Sequence, residues 1–213
     1  MLEIKDVGFG YSKSLEFCFS YNFDLQTPVV IHGVSGSGKS TLLHIICGLI
    51  SPFSGSIKYN NEDLFKLSPS DRPLSILFQR GNLFDHISCL RNVEIGLNCK
   101  GGLGEFTTVI EETFHKLGIS NLRNKLPSEI SGGQRKRVAL ARVIVRARCL
   151  NKKLVLLDEP FNGLDAAAKM KCIKTLLEMK LKEKCKIIIV SHDINDPVSI
   201  GANTVNLEEI QTR

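Results

Sequence analysis

The chain has 213 residues, of which 43% are apolar and 23% are charged. This composition is typical of a globular protein with a substantial core, and it excludes the disordered, collagen-like and disulfide-rich classes. The net charge of +6 fits an anionic ligand such as a nucleotide, a nucleic acid or a lipid headgroup, and does not choose among them. No apolar run is long enough to span a membrane, so we expect no membrane-spanning helix.

The cysteines and the first residues indicate a reducing compartment. There are seven cysteines, an odd number, and no pair has the spacing of a metal site, so we expect free thiols with packing roles. The N-terminal residues do not form a basic segment followed by an apolar one, so we expect no signal peptide.

The strand pattern changes along the chain. Residues 1–31 alternate between apolar and polar positions, which predicts short strands with turns. Continuous apolar runs follow and end abruptly in polar residues; they cover residues 29–31, 75–78, 154–157 and 187–190. Such runs are typical of parallel strands that are covered on both faces, and ligands bind at the carboxyl ends of such strands. We therefore expect the four strand ends to meet at one crevice.

The helical pattern lies between the second and third of these runs. It extends from Glu105 to Leu117 and from Gly133 to Leu150, and the second helix is apolar around most of its circumference, which indicates burial. We predict an inserted helical subdomain at about residues 84–136, with residues 101–104 as its most flexible loop. The whole chain, residues 1–213, is then one domain.

A phosphate-binding loop follows the first apolar run. The segment GVSGSGKS at residues 33–40 matches the pattern G-x-x-x-x-G-K-[ST] in full, between a predicted strand and a predicted helix. Its glycines allow backbone amides to approach phosphate oxygens, and the helix N-terminus adds a positive dipole end. Lys39 supplies a charge for the β- and γ-phosphates, and the hydroxyl of Ser40 is a ligand for Mg²⁺.

Two carboxylates end the third apolar run. An acidic side chain at the tip of a buried strand is costly unless it meets a cation or water. Asp158 is therefore placed to hold Mg²⁺, and Glu159 to polarise an attacking water. A solvated strand end before the turn at Pro160 is the alternative for this pair taken alone.

A second glycine motif, ISGGQ at residues 130–134, opens the predicted buried helix. Ser131 is a good N-cap, and the two glycines after it leave backbone amides bare, which makes a second anion site. Taken alone, the motif is equally well an ordinary helix cap. Together with residues 33–40 it gives one chain two candidate phosphate sites.

The order of these motifs resembles that of the ATP-binding subunits of ABC transporters, over essentially the whole chain. The matches are, in chain order, the Walker A loop (residues 33–40), the Q-loop (Gln79), the signature (residues 130–134, with Ile130 in place of Leu), Walker B (residues 154–159), the D-loop (residues 163–165) and the switch histidine (His192). The resemblance implies an α/β P-loop NTPase fold with a mostly parallel core sheet, an N-terminal antiparallel β subdomain and an inserted helical subdomain.

The resemblance also implies an ATPase that uses ATP and Mg²⁺ between two subunits packed head to tail. Glu159 is then the general base, His192 contacts the γ-phosphate, Gln79 senses Mg²⁺ and the attacking water, and Lys39 stabilises the phosphates. The residues implied to bind the nucleotide are Tyr11, Gly33, Val34, Ser35, Gly36, Ser37, Gly38, Lys39, Ser40, Thr41, Ser131, Gly132, Gly133, Gln134 and Asp165. The residues implied to hold the metal are Ser40, Gln79 and Asp158.

Two of these positions carry an alternative. Tyr11 lies where the family places an adenine-stacking aromatic ring, with packing in a small sheet as the alternative. The D-loop reads FNGLD, where many family members have Ser-Ala before Leu-Asp, so we expect Gly163 to loosen that turn. Asp165 is expected to link the two sites across the dimer.

Residues 68–79 and 82–86 resemble bacterial importer ATPases, most closely the thiamine-importer group. The resemblance implies a second ATPase subunit, integral membrane permease subunits and a solute-binding protein as partners, at the cytoplasmic face of the inner membrane. Residues 82–87 are a candidate docking patch, with subdomain core as the alternative for Leu83 and Phe84. The basic run at residues 135–137 is expected to be a solvated face, and no nucleic-acid partner is expected. Two other functions are left open: an ABC ATPase that regulates a membrane complex without pumping, and, as the less favoured alternative, a nucleic-acid-associated ABC ATPase.

Overall fold

The computed structural model describes residues 1–10, 14–80, 82–97 and 104–211. The strands are β1 (Leu2–Phe9), β2 (Phe17–Phe23), β3 (Val29–His32), β4 (Ser54–Tyr59), β5 (Glu62–Asp63), β6 (Leu74–Leu77), β7 (Leu154–Asp158), β8 (Lys186–Val190) and β9 (Asn203–Asn206). The α-helices are α1 (Lys39–Cys47), α2 (Cys89–Glu94), α3 (Thr107–Lys116), α4 (Gly132–Cys149), α5 (Ala166–Glu183), α6 (Asp196–Ile200) and α7 (Leu207–Ile210). Single 3₁₀ turns lie at Leu64–Lys66, Gly104–Phe106, Ser120–Leu122 and Pro127–Glu129.

The chain divides into two compact units. The first unit comprises Met1–Arg72 and Lys186–Arg213, and the second comprises Pro73–Cys185. The first unit contains β1–β5, β8, β9, α1, α6 and α7, and the second contains β6, β7 and α2–α5.

The first unit carries an antiparallel sheet and a group of parallel strands. The antiparallel sheet has the order β2-β1-β4-β5, which confirms the short alternating strands expected at the N-terminus. The parallel group has β3 between β8 and β9. Helix α1 leaves β3 through residues 33–38, and its apolar residues Leu42, Leu43, Ile45 and Ile46 are fully buried. It ends at Gly48, whose φ of 85° suits a glycine C-cap.

The second unit is built around α4, which packs against α2, α3, α5, β6 and β7. Its buried residues run from Val138 to Ala147, which confirms the predicted burial after Arg137. Strands β6 and β7 are parallel, with Leu77 opposite Leu157. The helix predicted from Glu105 is α3 preceded by the 3₁₀ turn at Gly104–Phe106.

Residues 84–136 hold α2, α3, three 3₁₀ turns and the start of α4, with no strand among those of them that the structure describes. That they form a subdomain of their own stays a prediction, as does the single domain over residues 1–213. Of the predicted flexible loop, residues 101–103 lie outside the described residues. No helix within the described part of the chain has both the length and the apolar character needed to cross a bilayer.

Candidate functional site

The glycine loop of the first unit adopts a conformation that only glycine accommodates well. Gly36 has a φ of 80° and Gly38 a φ of 100°, both in the left-handed region. A Cβ at Gly38 would also lie 2.9 Å from Cε1 of Phe17. Gly38 is the N-cap of α1, so the loop leads directly into the helix end that attracts anions.

Lys39 is held against the glycine loop by its side chain. Its Nζ donates hydrogen bonds to the carbonyl oxygens of Gly33 at 2.8 Å and Val34 at 2.7 Å, and the residue is 8% exposed. The hydroxyl of Ser37 donates to the same carbonyl of Val34 at 2.7 Å. The amine is therefore already positioned at the loop that the sequence assigns to phosphate.

The other predicted nucleotide residues of this loop lie around the same turn. Val34, Ser35 and Gly36 are exposed, whereas Thr41 is buried in the first turn of α1. The side chain of Gln211 donates to the carbonyl oxygen of Ser37 at 2.7 Å, a contact between residues 174 positions apart. No sequence pattern signals this contact. Tyr11 lies outside the described residues, so its stacking on adenine stays a prediction.

The switch histidine and the glycine loop both follow the carboxyl ends of strands in the parallel group. Strand β8 runs beside β3 with Val190 opposite Ile31, so His192 and Gly33 both follow the carboxyl ends of adjacent strands. His192 is exposed, and the residue before it is anchored: the Ser191 hydroxyl donates to the carboxylate of Asp196 and accepts from the amide of Asp193 at 3.0 Å. The fold thus presents His192 on a fixed loop.

The second unit brings Gln79 and the Walker B carboxylates to one strand edge. Strands β6 and β7 are adjacent and parallel, so Gln79 and Asp158 both lie at their carboxyl ends. Asp158 is 2% exposed and Glu159 is 7% exposed. Glu159 has a φ of 49°, a left-handed conformation that strains a residue with a side chain. Strain of this kind persists only where the surroundings hold the residue in place.

The signature opens α4 as a capped helix start. The hydroxyl of Ser131 accepts a hydrogen bond from the amide of Gln134 at 3.3 Å, and the side chain of Gln134 accepts one from the amide of Ser131 at 2.9 Å. This reciprocal arrangement is a capping box, and it confirms Ser131 as the N-cap. Ser131 and Gly132 are exposed, so the first turn of α4 is open to a ligand.

The D-loop has a local structural role besides the predicted link across a dimer. Gly163 has a φ of 77°, and Asp165 is the N-cap of α5, with its Oδ1 accepting from the amide of Ala168 at 2.8 Å. Chiefly because of this hydrogen bond, the pKa of Asp165 lies below its ordinary value. That Asp165 also reaches a partner subunit stays a prediction.

The segment after Gln79 is fixed by side chains that the sequence interpretation missed. The fully buried Asn92 donates to the carbonyl oxygens of Phe84, Ile87 and Ser88 and accepts from the amide of Phe84 at 2.8 Å. Arg142 donates to the carbonyl oxygen of Asn82. No pattern in the sequence marks either side chain for this role.

The same segment presents an exposed aromatic side chain. Phe84 is 47% exposed, so it is not a core residue. A cleft of about 320 Å³ lies beside it, lined by residues that include Gln79, Leu83, Lys136 and Ala139. The cleft joins the Q-loop to the first turns of α4. A fixed backbone with an exposed aromatic ring is a suitable surface for a protein partner.

The basic run after the signature is not the solvated face that the sequence predicts. Arg137 is half-buried and donates from Nη1 to the carbonyl oxygens of Leu117 at 3.0 Å and Gly118 at 3.2 Å. Lys136 is half-buried as well, and only Arg135 is exposed. The prediction is wrong for Lys136 and Arg137, because both side chains donate hydrogen bonds to backbone carbonyl oxygens of neighbouring segments.

The comparisons with known proteins agree with this geometry. The family model described as "ABC transporter" matches residues 19–162. The thiamine import ATP-binding protein ThiQ of Escherichia coli (strain K12) is 39% identical over 209 residues, covering 96% of this chain and 87% of that protein. ThiQ of Aliivibrio fischeri is 38% identical over 204 residues, covering 95% of this chain and 85% of that protein.

Solved structures give the same result for the fold. A dimeric structure of the ATP-binding cassette MJ0796 in a post-hydrolysis state with ADP and Pi has a TM-score of 0.77 and 29% identity, covering 92% of this chain and 89% of that one. The structure of cbiO1 from Clostridium perfringens, part of the ABC transporter complex cbiONQ, has a TM-score of 0.75 and 30% identity, covering 93% of this chain and 81% of that one. The P-loop NTPase fold is thereby confirmed. The chain belongs to the ABC transporter family and is an ATP-binding subunit that hydrolyses ATP to power transport.

Proposed function

We propose that two copies of this chain form two composite ATP sites, each built from the glycine loop of one copy and the signature of the other. The observation that supports this most strongly is that the chain has two helix starts suited to phosphate. One is the glycine loop before α1, with the amine of Lys39 at its carbonyl oxygens, and the other is the open first turn of α4 after Ser131. A single chain needs only one such start to bind one triphosphate.

On the glycine-loop side, the phosphates meet backbone amides and one cation. Lys39 would exchange its bonds to the loop carbonyls for bonds to the β- and γ-phosphates. His192, on its fixed loop at the same strand edge, is proposed to donate to the γ-phosphate. On the other side, Ser131, Gly132 and Gly133 are proposed to meet the γ-phosphate bound by the partner subunit.

Mg²⁺ fits the donors that the chain offers. Ser40, Gln79 and Asp158 supply hydroxyl, amide and carboxylate oxygens, the ligands that Mg²⁺ prefers. Among the described residues, no group of three or more His, Cys, Asp or Glu side chains could hold a metal ion. A site in which only one of the three protein ligands is a carboxylate suits an ion that is held jointly with the substrate phosphates. When bound, Mg²⁺ would neutralise charge that develops on the phosphate oxygens.

Glu159 is proposed to orient the water that attacks the γ-phosphate. Its carboxylate is nearly buried beside Asp158, at the strand edge that also presents Gln79. The water attacks in line, its oxygen bonds to the γ-phosphorus, and the bond to the bridging oxygen of ADP breaks. Glu159 accepts the hydrogen bond from the water and so fixes its direction.

Replacement of Glu159 by Gln tests this role. We expect Glu159→Gln to keep ATP binding, to lose nearly all turnover and to accumulate as a dimer when ATP is present. Fluorescent-nucleotide titration, phosphate release and light scattering measure these three properties. Glu208→Gln, which neutralises an exposed glutamate on α7, is the control and keeps full turnover. Wild-type turnover in Glu159→Gln would contradict the assignment.

The membrane partner is proposed to dock at residues 82–87. Their backbone is held by Asn92 and Arg142, and Phe84 is exposed. We propose integral permease subunits at the cytoplasmic face of the inner membrane, with a solute-binding protein delivering the solute. Thiamine is the proposed solute, because the ThiQ relatives are named for its import.

Reconstitution tests the partner and the solute. A polytopic membrane protein that co-purifies with the chain would be reconstituted with it in vesicles, and ATP-dependent uptake of labelled thiamine would be measured. Uptake that requires ATP and is lost in Glu159→Gln is expected. Stable association with the membrane protein but no ATP-dependent uptake of thiamine would contradict thiamine as the solute.

A further inference from the structure

A side chain on the signature helix contacts the Walker B turn of the same chain. Lys136, on the second turn of α4, donates from Nζ to the backbone carbonyl oxygen of Glu159 at 2.6 Å, across 23 residues of sequence. Both residues lie in the second unit. The sequence motifs assign no role to Lys136, and its place in a basic run favours a solvated face.

The hydrogen bond from Lys136 reaches a residue whose backbone conformation is strained. Glu159 has a φ of 49°, which strains a residue other than glycine, and such strain persists only when neighbouring groups fix the conformation. A hydrogen bond from a charged amine to the carbonyl oxygen of that same residue supplies such a restraint. It fixes the peptide group next to the Cα that carries the carboxylate.

The electrostatic surroundings agree with this contact. Burial lowers the pKa of the Lys136 amine, while the carboxylates of Glu159 and Asp158 act in the opposite direction and favour its charged form. The amine is therefore close enough to both Walker B carboxylates for their charges to act on it. A half-buried amine that donates to a backbone carbonyl oxygen does not belong to a solvated face.

The start of α4 also lies close to the D-loop, which follows the Walker B turn in the sequence. A Cβ at Gly133 would lie 3.2 Å from the carbonyl oxygen of Gly163 and 3.4 Å from Cδ2 of Leu164. The first two turns of α4 therefore touch the chain both at Glu159 and at the D-loop.

We infer that Lys136 is a positioning residue that holds Glu159 in its hydrolytic conformation and so ties the signature helix to the hydrolysis step of its own chain. This inference rests on the proposed role of Glu159. In the proposed dimer the signature of a chain serves one ATP site and Glu159 of that chain serves the other. Lys136 thus links the two sites through a single hydrogen bond.

The test compares Lys136→Met with a matched control. Lys153 donates from Nζ to the carbonyl oxygen of Glu183 at 2.8 Å, the same kind of bond to the same residue type, at the opposite end of β7. We expect Lys136→Met to lower kcat at least about tenfold, the effect of losing one hydrogen bond to a charged group, with KM for ATP changed less than about twofold. Lys153→Met is expected to keep the wild-type kcat.

Rescue by a conservative variant separates positioning from structural support. Lys136→Arg keeps a cation and several donors, so we expect its kcat within about threefold of the wild type. Circular dichroism and urea titration show whether Lys136→Met is folded. If it is not, Lys136→Arg still tests the inference. A folded Lys136→Arg that has lost its turnover would overturn the inference.

The remaining outcomes are distinct. Wild-type kcat in Lys136→Met, a rise in KM that accounts for the whole loss, or an equal loss in Lys153→Met would each overturn the positioning role. Glu159→Gln is measured in parallel. If that variant keeps its turnover, the proposed function fails; if it is inactive while Lys136→Met is fully active, only the inference about Lys136 fails.

Discussion

The glycine loop of the first unit and the Walker B turn of the second are held in place by different means. In the glycine loop, the conformation depends on left-handed glycines, and the side chain of Lys39 bonds to carbonyl oxygens five and six residues away. In the Walker B turn, a strained non-glycine residue is bonded to Lys136, 23 residues away on another element. The glycine loop therefore depends mainly on local sequence, and the Walker B turn depends on a tertiary contact.

The difference predicts how each site responds to substitution. A change inside the glycine loop should alter the ligand contacts directly, because the residues that build the loop are also those proposed to bind the phosphate. A change far from the Walker B turn should alter catalysis while ATP binding stays intact, because the residues that fix the turn lie outside the proposed nucleotide contacts. The following substitutions test this contrast, from the largest expected effect to the smallest.

Lys39→Ala removes the one cation of the glycine loop. We expect ATP affinity to fall by about 1.5–3 kcal/mol, roughly 10- to 150-fold, the value of a hydrogen bond to a charged group. Titration with a fluorescent ATP analogue measures this change. Unchanged affinity would mean that the loop does not bind the phosphates through Lys39.

Asn92→Ala removes the side chain that fixes the segment after Gln79. Because several buried backbone groups lose their partner, we expect a loss of about 1–3 kcal/mol in the free energy of unfolding. Urea unfolding measures it. The control is Arg91→Ala, whose side chain is 56% exposed, with an expected change within about 0.5 kcal/mol. Equal effects of the two substitutions would contradict the tertiary support of this segment.

Gln211→Ala tests a hydrogen bond that reaches the glycine loop from a distant part of the sequence. The side chain donates to the carbonyl oxygen of Ser37, and a neutral hydrogen bond contributes about 0.5–1.5 kcal/mol. We expect ATP affinity to fall less than in Lys39→Ala. A loss as large as that of Lys39→Ala would show that the loop also depends on tertiary contacts, and the contrast between the two sites would then disappear.

Lys116→Met breaks a surface ion pair with Glu178, whose atoms are 2.7 Å apart. We expect a loss of at most about 1 kcal/mol of unfolding free energy at pH 7, and less in high salt. The hydrogen bond from Lys116 holds the pKa of Glu178 below its ordinary value. The stabilisation is therefore present above the carboxyl's unfolded pKa and is lost as the pH falls through the lowered value. A difference between wild type and variant that persists under strongly acidic conditions would contradict this cause.

The sequence predicts the local features of both sites. The pattern at residues 33–40 predicts a phosphate-binding loop, because glycines and Lys39 at this fixed spacing are typical of that loop conformation. Ser131 predicts the N-cap of α4 for the same reason, and the apolar run before Asp158 predicts its strand. In each case the interacting atoms lie within a few residues of one another.

The contacts that fix the Walker B turn and the Q-loop could not be predicted in this way. The acceptors of these bonds, which come from Lys136, Asn92 and Arg142, are backbone carbonyl oxygens. Every residue has a backbone carbonyl group, so the residue type at the acceptor position does not reveal the bond. The bonds also depend on where α2 and α4 pack, which periodicity does not give. The same reason explains why Lys136 and Arg137 were wrongly expected on a solvated face.

The composite ATP site is tested most directly by pairing two inactive chains. A copy with Lys39→Ala has no working glycine loop, and a copy with Ser131→Arg has no working signature. The two copies carry different affinity tags, and their heterodimer is purified and assayed for ATP hydrolysis. We predict that each homodimer is inactive and that the heterodimer regains hydrolysis, because one of its two sites combines an intact loop with an intact signature. A heterodimer as inactive as the homodimers would contradict the composite site.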